Sequence, residues 1–191
     1  MTMVTIRLER EADKAAREQL LDAAYGPIRL KKPSQRLREG RDPAAGLSFV
    51  AIENGRVVGT VRLWTVAANG RPALLLGPLA VDPRYRNRGI GAALMQRALR
   101  DAARRGHGAV LLVGDAAYYG RFGFSAEKTG KLWLPGPYEQ HRLLGCELVR
   151  DALDGVAGLI GVPKTPAAKP ASKLAPLVAA ITGRRRTAQP A

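Results

Sequence analysis

Alternating apolar and polar residues at the start of the chain, Val4-Thr5-Ile6-Arg7-Leu8, predict a half-buried strand. Over residues 11–25 the apolar positions change to helical spacing, with Ala15, Ala16, Leu20, Leu21 and Ala24 as one stripe, and Gly26-Pro27 ends that helix. Residues 28–45 are basic and irregular, with a short helix expected around residues 34–38. Two runs rich in β-formers follow, residues 47–53 and 56–64, joined by Asn54-Gly55, a strong hairpin signal. Asn69-Gly70 marks a second tight turn, into the apolar run 74–81. Proline has no N–H to give to a sheet ladder, so Gly77-Pro78 within that run predicts a bulge. Ile90, Leu94, Ala98 and Ala102 then recur at helical spacing, residues 109–114 read as a strand, and residues 143–148 as the last strand. Residues 153–162 read as a short appended segment. Three antiparallel strands followed by strand, helix and strand give an α/β order.

The strand that ends at Val81 feeds the turn Asp82-Pro83-Arg84-Tyr85-Arg86-Asn87-Arg88-Gly89-Ile90-Gly91, which opens the helix. A helix start leaves backbone N–H groups without intrahelical acceptors and carries the positive end of the helix dipole. Gly89 and Gly91 allow an anion close to the backbone, and Arg84, Arg86 and Arg88 add positive charge, so the turn predicts a phosphate-bearing ligand. A nucleoside-triphosphate loop would carry Lys-Ser/Thr after the second glycine, where Ala92-Ala93 stand. A dinucleotide fingerprint would need a third glycine, where Leu94 stands.

The pattern that fits is Arg-x-x-Gly-x-Gly (Arg86, Gly89, Gly91), which resembles the pyrophosphate-binding signature of the GNAT superfamily of acetyl-coenzyme A-dependent N-acetyltransferases. A second block, Tyr119-x-x-x-Gly123-Phe124, follows the next strand and looks like the family's Tyr-x-x-x-Gly-Phe. The resemblance implies a GNAT fold: a central mixed, mostly antiparallel sheet of six to seven strands, splayed between the fourth and fifth strands and flanked by helices. It implies acetyl-coenzyme A as co-substrate, held at the turn by Arg86, Asn87, Arg88, Gly89, Ile90, Gly91 and Ala92. The backbones of Leu79, Ala80 and Val81 would pair with the pantetheine arm, and the Leu79 N–H is the implied donor to the thioester oxygen. Asp115 stands where the family often carries Asn, and as a carboxylate it would only accept from a cofactor amide.

Tyr119 is the implied proton donor to the departing thiolate, since a phenol of ordinary pKa about 10 is protonated at neutral pH. Tyr118 is expected to face the other way and pack, and His107 to cap the helix end. The implied activity is acetyl transfer to a primary amine of a small molecule or peptide, by direct attack in a ternary complex. The run 74–81 contains no Glu, the base of many relatives, which leaves Asp115, Glu53, His141 and water as candidates.

Composition changes this picture mainly at the C-terminus. The chain has 191 residues, 46% of them hydrophobic, enough for one ordinary core. Residues 1–162 are expected to form the acetyltransferase domain, and 163–191 a flexible Lys/Pro/Ala-rich tail with a short helix at 174–181. Of the net charge of +15, the tail holds +6 with no acid, and the remaining +9 suits an anionic ligand. The single cysteine, Cys146, is expected to be a small buried hydrophobe, and no Cys/His cluster has metal-ligand spacing. No signal-peptide pattern or bilayer-length apolar stretch is present, so a cytoplasmic monomer or homodimer without a membrane partner is expected. Two other readings stand beside acetyl transfer: a non-catalytic acyl-coenzyme A sensor, and a protein tethered to nucleic acid or another polyanion through Arg184-Arg185-Arg186 and the tail lysines.

Overall fold

The computed structural model describes residues 3–164, so the expected tail helix and the Arg184-Arg185-Arg186 tip lie outside the described residues. Strand β1 (Thr5–Leu8) pairs antiparallel with β2 (Ser48–Glu53), and β2 with β3 (Arg56–Ala68). Strand β3 continues past Trp64 to Ala68, because the second Asn-Gly turn folds it against β4 (Arg71–Leu76), with Ala68 opposite Arg71 and Leu63 opposite Leu76. Both hairpin turns place two successive residues at positive φ, Asn54 and Gly55 at 49° and 74°, Asn69 and Gly70 at 47° and 84°. This twist matches the flanking strands.

The bulge forms where proline predicts it. Leu76 pairs with Leu63 on β3, and β5 (Ala80–Val81) resumes with Ala80 opposite Thr60. Gly77, Pro78 and Leu79 therefore face only Val61 and Arg62, and the extra residue swings the chain out of the ladder. Beyond the bulge only β3 is paired. Strand β6 (Ala109–Val113) meets β4 in parallel at Leu74↔Val110 and Leu75↔Leu111 and does not follow it into β5. A wedge opens there between residues 76–81 and the end of β6, the splay expected between fourth and fifth strands.

Strand β6 pairs antiparallel with β8 (Leu143–Glu147). The path β1-β2-β3-β4-β6-β8 supplies the six expected strands. The described residues hold nine strands because the bulge cuts off β5 and because β7 (Leu132–Trp133) and β9 (Gly158–Gly161) form a small parallel ribbon joined to the end of β3.

Alternate residues of the central strands enter two cores. Leu74, Leu76, Val110 and Leu112 join one cluster with Ile90, Leu94, Met95, Ala98 and Ala102 of helix α3 (Ile90–Arg104), as the helical spacing predicted. Ala73, Leu75, Ala109 and Leu111 face the opposite core, under β7, β9 and Leu153. Helix α1 (Lys14–Tyr25), after a short turn of 3-10 helix at Glu11–Asp13, packs Leu20 and Leu21 against Ala80. Its buried stripe corrects the expected one: Ala15 is exposed and Arg17 is buried, bonded to Glu9 and Glu18. Helix α2 (Pro33–Arg36) lies in the basic connector, slightly earlier than expected. Cys146 is buried, and no helix among the described residues is long and apolar enough to cross a membrane.

Candidate active site

The backbone ladder determines which groups face the wedge. Ala80 is registered opposite Thr60, and the Asp82 N–H donates to the Val58 carbonyl at 2.9 Å. That pattern turns the N–H and C=O of Ala80 toward β3, and those of Leu79 and Val81 away from it. Ala80, expected among the backbone partners of the arm, is therefore spent on the sheet. The Leu79 carbonyl accepts from the Tyr25 hydroxyl, whereas the Leu79 N–H has no acceptor among the described residues. An unpaired strand-edge donor thus faces the wedge, next to the cis Gly77-Pro78 bond.

The wedge widens into a cleft of about 400 Å³, lined by Leu79 and Pro78 on one side and by Gly114, Asp115 and Tyr119 on the other. Asp115 caps α4 (Ala116–Tyr119), its Oδ1 accepting from the Ala117 N–H at 3.0 Å. The cap starts the short helix that carries Tyr119 to the cleft. The ring of Tyr119 packs edge-on against Phe124, with centroids 6.0 Å apart, and Gly123 at φ 85° closes the turn between them. Its hydroxyl makes no hydrogen bond among the described residues. Burial is the main cause that raises its pKa, with Tyr25 and Tyr118 adding to the effect and Arg142 opposing it. Tyr118 does not simply pack away from the site. Its hydroxyl lies beside the start of α3, 2.9 Å from where a Cβ on Gly91 would stand, and its ring meets that of Tyr119 at 4.9 Å. The α3 start and the cleft therefore form one surface.

At that start Gly89 caps α3 in the left-handed region, φ 75°, with no side-chain cap. The Ala93 N–H bonds to the Gly89 carbonyl at 2.9 Å. The N–H groups of Gly89, Ile90, Gly91 and Ala92 precede that first intrahelical bond and open toward the exposed loop. Ile90 contributes only backbone, since its side chain is in the core. The arginines differ in availability: Arg84 pairs with Asp82 at 2.7 Å and Arg88 with buried Glu53 at 2.6 Å, while Arg86 is exposed and has no ion pair among the described residues. Asn87, at φ 61°, turns the chain between them. These groups fit what coenzyme A presents, a pyrophosphate for clustered N–H donors and an amide-bearing arm for an unpaired strand edge.

The sequence matches the acetyltransferase (GNAT) family over residues 14–124. The chain belongs to the GNAT acetyltransferase family. This acetyltransferase is 33% identical over 158 residues to the uncharacterized N-acetyltransferase YhbS of Escherichia coli strain K12, covering 81% of this chain and 93% of that one. The solved structure of Escherichia coli YhbS in complex with CoA superposes with a TM-score of 0.74 at 30% identity, covering 85% and 91% of the two chains. A GNAT family acetyltransferase from Brucella melitensis, solved with acetyl-CoA, superposes with a TM-score of 0.56 at 29% identity over 74% and 94%. Acetyl-coenzyme A is the co-substrate of the acetyltransferase.

Several groups in the acetyltransferase cleft escape sequence reasoning. Tyr25, Lys32, Arg38 and Arg142 reach it from the α1 end, the basic connector and the loop before β8. Only the tertiary fold brings these segments together, and the basic composition of residues 28–45 was their one visible signal. The proposed bases separate. Glu53 is held by Arg88 and lies outside the cleft, as does exposed His141, while Asp115 lines it with one oxygen engaged in the cap. The other carboxylate lining the cleft, Glu139, pairs with Arg142 at 3.2 Å. His107 is half-buried just past the end of α3, where its backbone N–H rather than its ring bonds to the Ala102 carbonyl, and burial lowers its pKa.

Gly91→Val tests the anion site. A Cβ there meets only the movable Tyr118 hydroxyl at 2.9 Å and Val81 at 3.7 Å, so the fold is expected to persist. The bulkier side chain obstructs the N–H cluster, and losing about 2 kcal/mol of charged hydrogen bonding weakens acetyl-coenzyme A roughly thirtyfold. Calorimetric titration measures this; unchanged affinity would put the phosphates elsewhere.

Proposed function

We propose that the protein acetylates a primary amine of a small molecule or peptide by direct attack in a ternary complex. The observation that carries this reading is the Leu79 N–H, unpaired and turned to the same wedge that Tyr119 lines. Bound acetyl-coenzyme A supplies an activated thioester. The N–H groups of residues 89–92 and Arg86 hold its pyrophosphate, and the Val81 backbone pairs with its arm. Leu79 donates from its N–H to the oxygen where negative charge grows, and Tyr119 donates from its hydroxyl to the departing sulfur.

Among the described residues both carboxylates that line the cleft are engaged, Asp115 through one oxygen in the helix cap and Glu139 with Arg142. Instead Lys32, Arg38 and Arg142 surround the acceptor's place, and their charge disfavours an ammonium and favours the neutral, nucleophilic amine. Proton removal is thereby assigned to water. The acceptor class, direct attack and the roles of Leu79, Asp115 and Tyr119 rest on this geometry and on family membership. The test is titration with acetyl-coenzyme A, then thiol release against a panel of amines and peptides. Binding without release on any amine would favour the acyl-coenzyme A sensor, the reading that the lack of a free carboxylate also supports.

The pH profile follows from the same groups. Because burial raises the Tyr119 pKa above its ordinary value, the hydroxyl keeps its proton through the neutral and mildly alkaline range. The rate of thiol release should rise with pH as the acceptor loses its proton, by about one log unit per pH unit, and then level off. A falling limb between about pH 7 and 9 would remove Tyr119 as the proton donor.

A further inference from the structure

Next to the acetyl-transfer cleft, and sharing Arg29, Gln35, Arg38 and Pro78 with it, lies a second pocket of about 220 Å³ whose wall is Trp64. Two guanidinium groups stack on this indole, Arg62 at 4.8 Å and Arg38 at 5.3 Å from the ring. Neither has a carboxylate to itself: Arg62 feels Glu9 and Glu18, both of which also pair with Arg17. Arg38 donates to the Gly77 carbonyl at 2.7 Å and to the carbonyl and hydroxyl of Ser34 at 3.0 and 2.9 Å, and meets no acid among the described residues. Arg62 stands 3.7 Å from Glu18, which is already shared by Arg17 at 2.8 Å and Arg29 at 2.6 Å. Arg41, on the same lining, bonds among the described residues only to oxygens of Leu37 and Thr65.

Two further donors are left over. The indole N–H of Trp64, a residue only 3% exposed, and the Nε–H of Arg62 are buried without an acceptor among the described residues. Buried donors and charges are costly unless an acceptor reaches them. Burial is the main cause that pushes both Arg38 and Arg62 down to about 10, with neighbouring arginines adding to it and Glu9 and Glu18 opposing it at Arg62.

We infer that this pocket binds a carboxylate of the acceptor, so that the substrate is an amine that also carries an acid. A carboxylate offers two coplanar acceptors to guanidinium donors. A single negative charge suits the pocket, because Glu18 and Glu39 also line it and would oppose a dianion. The shared Pro78 wall sets the bound acid beside Leu79, where the amine must meet the thioester. The assignment rests on the acetyl-transfer reading for the amine, and on the pocket alone for the acid.

The test compares glycine, β-alanine and 4-aminobutyrate with their carboxamides as acceptors, a series that varies the amine-to-acid distance. At least one acid is expected to exceed its carboxamide in kcat/KM by about tenfold to a hundredfold, the worth of charged hydrogen bonds. Arg62→Gln should erase that advantage through KM with kcat little changed. Arg38→Gln should lower the advantage too, but it also removes charge from the acceptor's place and the bond to Gly77, so Arg62→Gln is the decisive variant. Calorimetric binding of the three N-acetylated acids gives a readout without turnover. Binding of these acids, lost in Arg62→Gln, supports the pocket even where no thiol is released, an outcome that would remove only acetyl transfer. Thiol release with acids and carboxamides used equally, or an acid preference that survives in Arg62→Gln, overturns the carboxylate site and leaves acetyl transfer standing.

Discussion

Tyr119→Phe is expected to lower kcat about 10²-fold and to leave acetyl-coenzyme A affinity unchanged. The substitution keeps the ring, and it is the ring that meets Phe124 at 6.0 Å and Tyr118 at 4.9 Å, so the melting temperature should not move. Only the hydroxyl is lost, and it bonds to nothing else among the described residues. The size of the effect follows from the pKa. A thiol near the ordinary cysteine value of about 8.5 is a stronger acid than even an unperturbed phenol near 10, and burial raises Tyr119 further. Complete transfer of the proton to the thiolate is therefore uphill. The hydroxyl acts mainly as a hydrogen-bond donor to charge growing on sulfur, which argues for the lower end of the 10²–10⁴ range typical of positioned acids. Thiol release under saturation and calorimetric titration together measure the result. Undiminished kcat would take Tyr119 out of the mechanism.

What was legible in the sequence follows from how local each signal is. The Asn-Gly turns, the Gly77-Pro78 bulge and the α3 stripe depend on a few neighbouring residues, and each appears where its pattern placed it. The two family blocks are local in the same sense, and they are what singled out Arg86 to Gly91 and Tyr119 as candidates. Ala80 was misread because only strand pairing shows which way a peptide group points; the register opposite Thr60 turns it to β3. Arg17 stood outside the expected apolar stripe of α1, and nothing in the helix foretells that Glu9 will arrive to pair with it. Arg38 stands 24 positions before Arg62 and 26 before Trp64, so its stacking on the indole beside Arg62 is a tertiary fact without local signature. Charge in the folded part was visible as a total, whereas its division into paired and unpaired guanidiniums required coordinates.

Gly114→Ala should impair catalysis as strongly as removal of the Tyr119 hydroxyl, although Gly114 carries no functional group. A Cβ at this position would stand 2.2 Å from Cε2 and 2.6 Å from Cδ2 of Tyr119, and 3.1 Å from Cδ1 of Leu112. Contacts that short do not occur between real atoms, so the Tyr119 ring must move by more than 1 Å or the end of β6 must shift. A displacement of about 1 Å at a catalytic group can cost roughly 10²-fold in rate. Crowding should also lower stability by about 1–3 kcal/mol, visible in denaturant unfolding. The double variant separates displacement of Tyr119 from general damage. If Gly114 acts by keeping room for that ring, adding Gly114→Ala to Tyr119→Phe should reduce kcat little further, because the hydroxyl to be misplaced is already gone. Losses that multiply in the double variant would mean that Gly114 acts on another part of the site, with the Asp115 cap as the nearest candidate. Affinity for acetyl-coenzyme A should change little in either single variant, since the N–H cluster at the start of α3 is built from another segment of chain.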